Sequence, residues 1–147
     1  MADFKELRAT LQRTATNFID RCNEHTVDAV LSIRADTCKH THLPSSLGIG
    51  TYNNAEYGVF YGRFADMMKD CTCWILDDKE MVVDVESRKV VMHVKNKGST
   101  PLGEYENEYL FILTMTGDGK KIEEILEFCD SAKAMELMNK HQGQMNA

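Results

Sequence analysis

Four residues scattered along the chain have side chains that can do acid–base chemistry together: Arg34, Tyr105, Tyr109 and Glu127. Glu127 stands between Leu126 and Phe128 in a hydrophobic run. A lone carboxylate is almost never fully buried without a partner or a purpose. Once buried, its pKa rises by desolvation unless a cation or hydrogen-bond donors hold it charged. Arg34, directly after apolar Ile33, is the expected cation. Its planar fork can hold a carboxylate and still donate to a ligand oxygen. Tyr105 and Tyr109 are four apart in an alternating run, so on a strand they point the same way. Their hydroxyls can donate to an oxygen on which charge develops. The competing readings are a plain Arg34–Glu127 ion pair and two packing tyrosines. No short motif links the four, so the conjunction carries the argument.

A wider set is expected to line the same space. Asn107 and Phe111 share the strand face of Tyr105 and Tyr109, and Tyr61 lies on the apolar stripe of a helix. His40 is a candidate acid or base. Glu56 is another, although its place three residues after Asn53 also fits a capping box. His93 is weighed as a pocket residue. Cys38, His40 and His42 alternate in one segment, and such neighbours rarely converge on one ion, so no metal is expected. Cys71 and Cys73 flank a strand start beside Trp74 and read as core. No phosphate-binding glycine loop or nucleophile elbow occurs, and no cofactor is expected.

These residues need elements to hold them. Phe4, Leu7, Leu11, Ala15, Phe18 and Cys22 form one stripe of a helix about five turns long. Thr26 caps a short second helix with Val27, Val30, Leu31 and Ile33 on its apolar face. Residues 35–53, with Pro44, Gly48 and Gly50, read as irregular. A third helix is predicted from Asn53 through Met68. From Cys71 the period becomes two, and CTCWIL, MVVDVES, KVVMHVK, YENEYLFILTMT and KKIEEILEFC read as strands. Turns are predicted between them, the longest from Lys97 to Gly103. DSAKAMELMNK reads as a last helix, with 141–147 fraying.

Helices followed by strands define α+β. The expected fold is one domain over 1–147: a cone-shaped curved antiparallel sheet, three N-terminal helices over its concave face, and a short C-terminal helix. The other face of the longest strand ends in Leu110 and Ile112, so a homodimer through the outer sheet face is expected.

With 147 residues the chain is long enough to bury a core without metal or disulfides. The net charge of −6 offers no basic face to phosphates, so nucleic acid is not an expected partner. Five cysteines in no disulfide-like spacing, and an opening free of any apolar leader, point to a cytoplasmic protein with no membrane span. An apolar small molecule is the expected partner.

The element order, the RADTCKHTHLPSSLG segment before a helix opening NNAEY, and the terminal run of long strands together resemble the nuclear-transport-factor-2-like superfamily. Within it, the chain looks like the small SnoaL-like proteins of fungal natural-product pathways. The resemblance covers roughly residues 4 to 138. It implies a cone-shaped homodimer with one pocket per subunit, and cofactor-free rearrangement of a polycyclic terpenoid, polyketide or alkaloid. Arg34, Tyr105, Tyr109 and Glu127 are similar to the polar set of the semipinacolase type. His40 and Glu56 would stand for the histidine and carboxylate of the meroterpenoid isomerase type. No clear His–Asp pair falls among the strands, so the dehydratase type is a weaker likeness; a polyketide-type cyclase or a non-catalytic adaptor are the other roles the resemblance implies.

Overall fold

The structure, a computed structural model, describes residues 3–145. Helix α1 spans Phe4–Cys22; Asp3 caps it, its carboxylate accepting from the Lys5 amide at 2.9 Å. Leu11, Ala15, Phe18 and Ile19 leave α1 on one side and form the core with Val90, Met92, Val94, Leu113, Met115, Ile122 and Ile125. Phe18 meets Phe111 edge-on with ring centroids 5.1 Å apart, so Phe18→Ala should cost about 3–5 kcal/mol. Helix α2 spans Val27–Ser32 behind its Thr26 cap, as predicted.

The next segment departs from expectation. Residues 34–43 form a strand, β1 (Arg34–Leu43), followed by a short edge strand β2 (Gly50–Tyr52). Cys38, His40 and His42 alternate inward along β1, but two of the three are histidines, so the alternation does not read as hydrophobic. Helix α3 (Asn54–Gly62) carries the expected capping box of Asn53 and Glu56. It stops at Gly62 instead of running to Met68, consistent with two glycines in nine residues.

The remaining strands are β3 (Cys71–Ile75), β4 (Val82–Asp84), β5 (Lys89–Thr100), β6 (Gly103–Met115) and β7 (Ile122–Cys129). They make a curved, open sheet in the order β2-β1-β7-β6-β5-β3, with β4 also on β5. All pairs are antiparallel except β1 with β7, which is parallel, a departure from the all-antiparallel sheet expected. The predicted turn from Lys97 is absent too: β5 continues to Thr100 and a two-residue connection leads to β6. Opposite charges keep that stretch paired, Lys95 facing Glu108 and Lys97 facing Glu106. Gly98 lets β3 pass close, since a Cβ there would lie 2.3 Å from the Asp70 carbonyl oxygen.

Helix α4 is longer than expected, Ser131–Met145, and packs on β6. The helix includes residues 141–145 of the tail; residues 146–147 lie outside the described residues. No helix among the described residues is long and apolar enough to cross a membrane.

Candidate active site

The irregularity of β1 makes the site. Between Arg34 and Lys39 the register on β7 slips, from Arg34 opposite Ile122 to Lys39 opposite Glu124. Six residues of regular strand would separate Arg34 from His40 by about 20 Å. The bulge takes up the excess, and Nη2 of Arg34 reaches Nδ1 of His40 at 3.1 Å. Nε of the same guanidinium donates to the Val30 carbonyl at 3.0 Å, and its carbon sits 4.0 Å from the centre of the Tyr57 ring. On the far side, Nε2 of His40 lies 2.9 Å from Oε1 of Glu127.

The chemistry of arginine fixes the protons. A guanidinium only donates, so Nδ1 of His40 is the acceptor and Nε2 carries the hydrogen given to Glu127. His40 is 1% exposed, and burial, helped by the Arg34 charge, lowers its pKa to about 4. The ring is therefore neutral at pH 7. Burial pushes the Glu127 carboxyl up, but the His40 hydrogen bond and the neighbouring positive charge outweigh it and hold the acid below its usual range. The result is a relay of cation, neutral imidazole and carboxylate whose protonation is set from behind.

His40, His42 and Glu127 offer ligand atoms within 4.8 Å of one another. The set suits a metal poorly. With Nδ1 of His40 already accepting from Arg34, a metal on Nε2 needs an imidazolate, and the guanidinium stands beside it.

In front of Glu127 lies a cavity of about 150 Å³. Tyr105, Tyr109, Asn107 and Cys129 continue the sheet wall, while Tyr57, Phe60, Tyr61 and Phe64 supply an aromatic roof. Leu137 and Met138 of α4 close the end. Burial raises the pKa of both Tyr105 and Tyr109, so these phenols donate hydrogen bonds without ionising. Burial, then the Glu127 charge, pushes the Cys129 thiol up to about 11, which leaves it a poor nucleophile. A second cavity of about 340 Å³ lies between the β5–β6 hairpin and α4, and Tyr105 and Leu137 belong to both walls.

Of the residues expected from sequence, Tyr61, Tyr105, Asn107, Tyr109 and Glu127 meet on this cavity. Arg34 and His40 stand behind it, and the expected direct Arg34–Glu127 contact is replaced by His40 in between. Asn107 works mainly within the wall, donating to the Tyr105 hydroxyl at 2.8 Å and accepting from the Asp130 amide at 3.1 Å. Two expectations are corrected. Phe111 is one step deeper, in the core against Phe18. Glu56 is exposed, its carboxylate accepting from the Asn53 amide, because capping satisfies it outside the pocket. His93 faces outward and pairs with Glu108. Sequence reading missed His42, Tyr57 and Phe60 as wall residues; the alternation of His40 and His42 was the available signal.

Curved sheet, helical roof and an internal cavity define the cone-type α+β class. No family model matches the chain. It is 36% identical over 137 residues to austinoid biosynthesis cluster protein J of Aspergillus calidoustus, covering 92% of this chain and 82% of that one. Among solved structures it resembles the BvnE pinacolase from Penicillium brevicompactum, with TM-score 0.86 and 30% identity over 95% of this chain and 99% of the other. PrhC from Penicillium brasilianum gives TM-score 0.88 at 28% identity, covering 95% and 92%. The chain belongs to the fungal SnoaL-like family within the nuclear-transport-factor-2-like superfamily.

Proposed function

We propose that this protein is a cofactor-free isomerase of fungal secondary metabolism that rearranges a polycyclic alkaloid or terpenoid intermediate by a semipinacol-type shift. The observation that carries the reading is Glu127, held ionised by the His40–Arg34 relay on a cavity wall it shares with two phenols. In such a shift a hydroxyl loses its proton as its carbon becomes a carbonyl, and a neighbouring group migrates. Glu127 is the base that takes that proton. Tyr105 and Tyr109 donate to the substrate oxygens and hold the migrating geometry. Arg34 and His40 position Glu127 and do not touch the guest. The likeness to a pinacolase and to austinoid-cluster proteins supports this class of chemistry.

At about 150 Å³ the cavity is below the roughly 300–1,000 Å³ of drug-sized sites. A polycyclic guest therefore displaces Tyr105 and Leu137, which alone of the wall also border the 340 Å³ cavity beside it. The test is an assay of the purified protein on two probes, a 2,3-dialkyl-3-hydroxyindolenine and a polycyclic α-hydroxy ketone. A rearranged product of unchanged mass, formed without added cofactor, is the expected result. No rearrangement of either probe sinks the reading.

The protein is proposed to act as a homodimer through the outer sheet face. Leu110 and Phe128, cross-strand neighbours there, are 49% and 50% exposed, and Trp74 is exposed close by. Sedimentation should show a dimer for the native chain and a monomer for Phe128→Glu.

A further inference from the structure

We propose that His42 is the second proton-transfer residue of the site, giving a proton to the substrate atom that receives the migrating electrons while Glu127 takes one from the hydroxyl. The inference rests on the rearrangement reading and extends it by assigning the acid.

Both nitrogens of His40 are taken, Nδ1 by Arg34 and Nε2 by Glu127. The Tyr105 hydroxyl accepts from Asn107. Nη1 of Arg34 is buried without a partner among the described residues, but Arg34 is not part of the cavity wall. His42 is. Its ring is 5% exposed, it borders the cavity, and its Nδ1 is buried with no hydrogen-bond partner among the described residues. Buried polar atoms in folded proteins are nearly always bonded, so an unbonded ring nitrogen on a residue that borders the cavity leaves a place for a partner from the guest.

The ring is also held still. It stacks on His40, centroids 4.5 Å apart and planes 9° from parallel, and packs against Tyr52 of β2 and Phe60 of α3. On the backbone His42 sits directly opposite Glu127 in the parallel pair. The titratable and charged groups around it are His40 and Arg34 on its own strand, Glu127 on β7, Tyr52 on β2 and Tyr57 on α3. Of these groups, only the Glu127 carboxylate and the His42 imidazole are on the cavity wall and are acid–base groups other than a phenol.

The proton ledger closes. The substrate O–H bond breaks and its proton goes to the Glu127 carboxylate. The freed oxygen pair forms the carbonyl as a carbon–carbon bond shifts to the adjacent carbon. That carbon's double bond to nitrogen or oxygen yields its electron pair to the heteroatom, which takes a proton from the His42 imidazolium. Product is an isomer of substrate. Return of one proton from Glu127 to His42 through solvent, on product release, restores both groups. No oxidant or reductant enters.

Two experiments test this on the full chain. In the first, wild type and His42→Gln are assayed on the same 3-hydroxyindolenine and α-hydroxy ketone probes. His42→Gln should lose about 10²–10⁴-fold in kcat with KM little changed. It should also lose the fall in rate at high pH that marks an acid in wild type. His42→Ala should regain rate with added imidazole. Wild-type rate and pH profile in His42→Gln overturn the inference and leave the rearrangement standing. No rearrangement by wild type brings down both. The second experiment needs no turnover. Nitrogen NMR of labelled histidines should show His42 gaining its second proton within the pH range of activity, while His40 stays neutral. A His42 ring that stays neutral over that range also overturns the proposal.

Discussion

The sheet carries two histidine–glutamate pairs, and they are opposites. His40–Glu127 lies on the concave face with the two side chains 1% and 17% exposed; His93–Glu108 lies on the outer face at 45% and 53%. Residue types are the same. The inner pair has a guanidinium behind it and a cavity in front, while the outer pair has water on every open side. Burial changes what a carboxylate costs and what a neighbouring donor is worth, because solvent no longer competes. On the inner face this makes a base of defined protonation. On the outer face the same contact has little to act on.

Exchanging each carboxylate for its amide gives the largest contrast. Glu127→Gln should lower kcat by about 10²–10⁴-fold, whereas Glu108→Gln should leave turnover within a factor of two. Equal loss in the two variants would break the comparison outright. Arg34→Met comes next. It leaves the His40–Glu127 contact with an unbalanced buried charge, and such losses cost roughly 3–5 kcal/mol. Urea unfolding of the variant against His93→Gln measures it; a loss for Arg34→Met no greater than for the surface variant would mean that the guanidinium is not part of the relay.

Stability against pH tests the inner pair, and the sign follows from its two shifts. His40 has a folded pKa of about 4, below the ordinary 6.5 of an unfolded chain. Between those values the unfolded state binds more protons, so stability is fully present above 6.5 and falls as pH drops toward 4. Glu127, also depressed, adds a loss in the same direction at lower pH, through the usual carboxylate range and below. Together the fall should reach about 2–3 kcal/mol, discounted because the groups are coupled. Denaturation midpoints from pH 7 to 4 should show this slope in wild type and a flatter one in His40→Gln. An identical slope in both would put the titrating group elsewhere.

How much of this was legible follows from which signals the relevant residues carry. Tyr105, Tyr109 and Glu127 come from stretches of β6 and β7 where alternation puts every second side chain inward, and they meet in the cavity. Helix α1 was legible for the same reason, through an uninterrupted apolar stripe. β1 was not. Its inward residues are Arg34, Cys38, His40 and His42, a polar set whose spacing is broken by a bulge. Bulge geometry depends on the partner strand, so the Arg34–His40 contact has no local signature, and the sequence names His40 as a candidate without placing it between Arg34 and Glu127. Glu56 misled in the other direction. Its capping spacing was visible, and the structure gives it that role alone.

The smallest effect is expected on the outer face, and it tests the surface itself. A double-mutant cycle on His93 and Glu108 in a dilute, monomeric sample should give a coupling below about 1 kcal/mol, lost at high salt, as exposed pairs do. The number should not stay fixed. Leu110, opposite His93 across the strands, is half exposed, and Phe128 lies opposite Leu110. A second copy docked on those side chains would strip water from the His93–Glu108 pair as well. Coupling would then rise with protein concentration and become less sensitive to salt, moving the outer pair toward the behaviour of the inner one. A coupling independent of concentration would say that the two faces differ because one of them is open to water at all times, and the homodimer would have to use another surface.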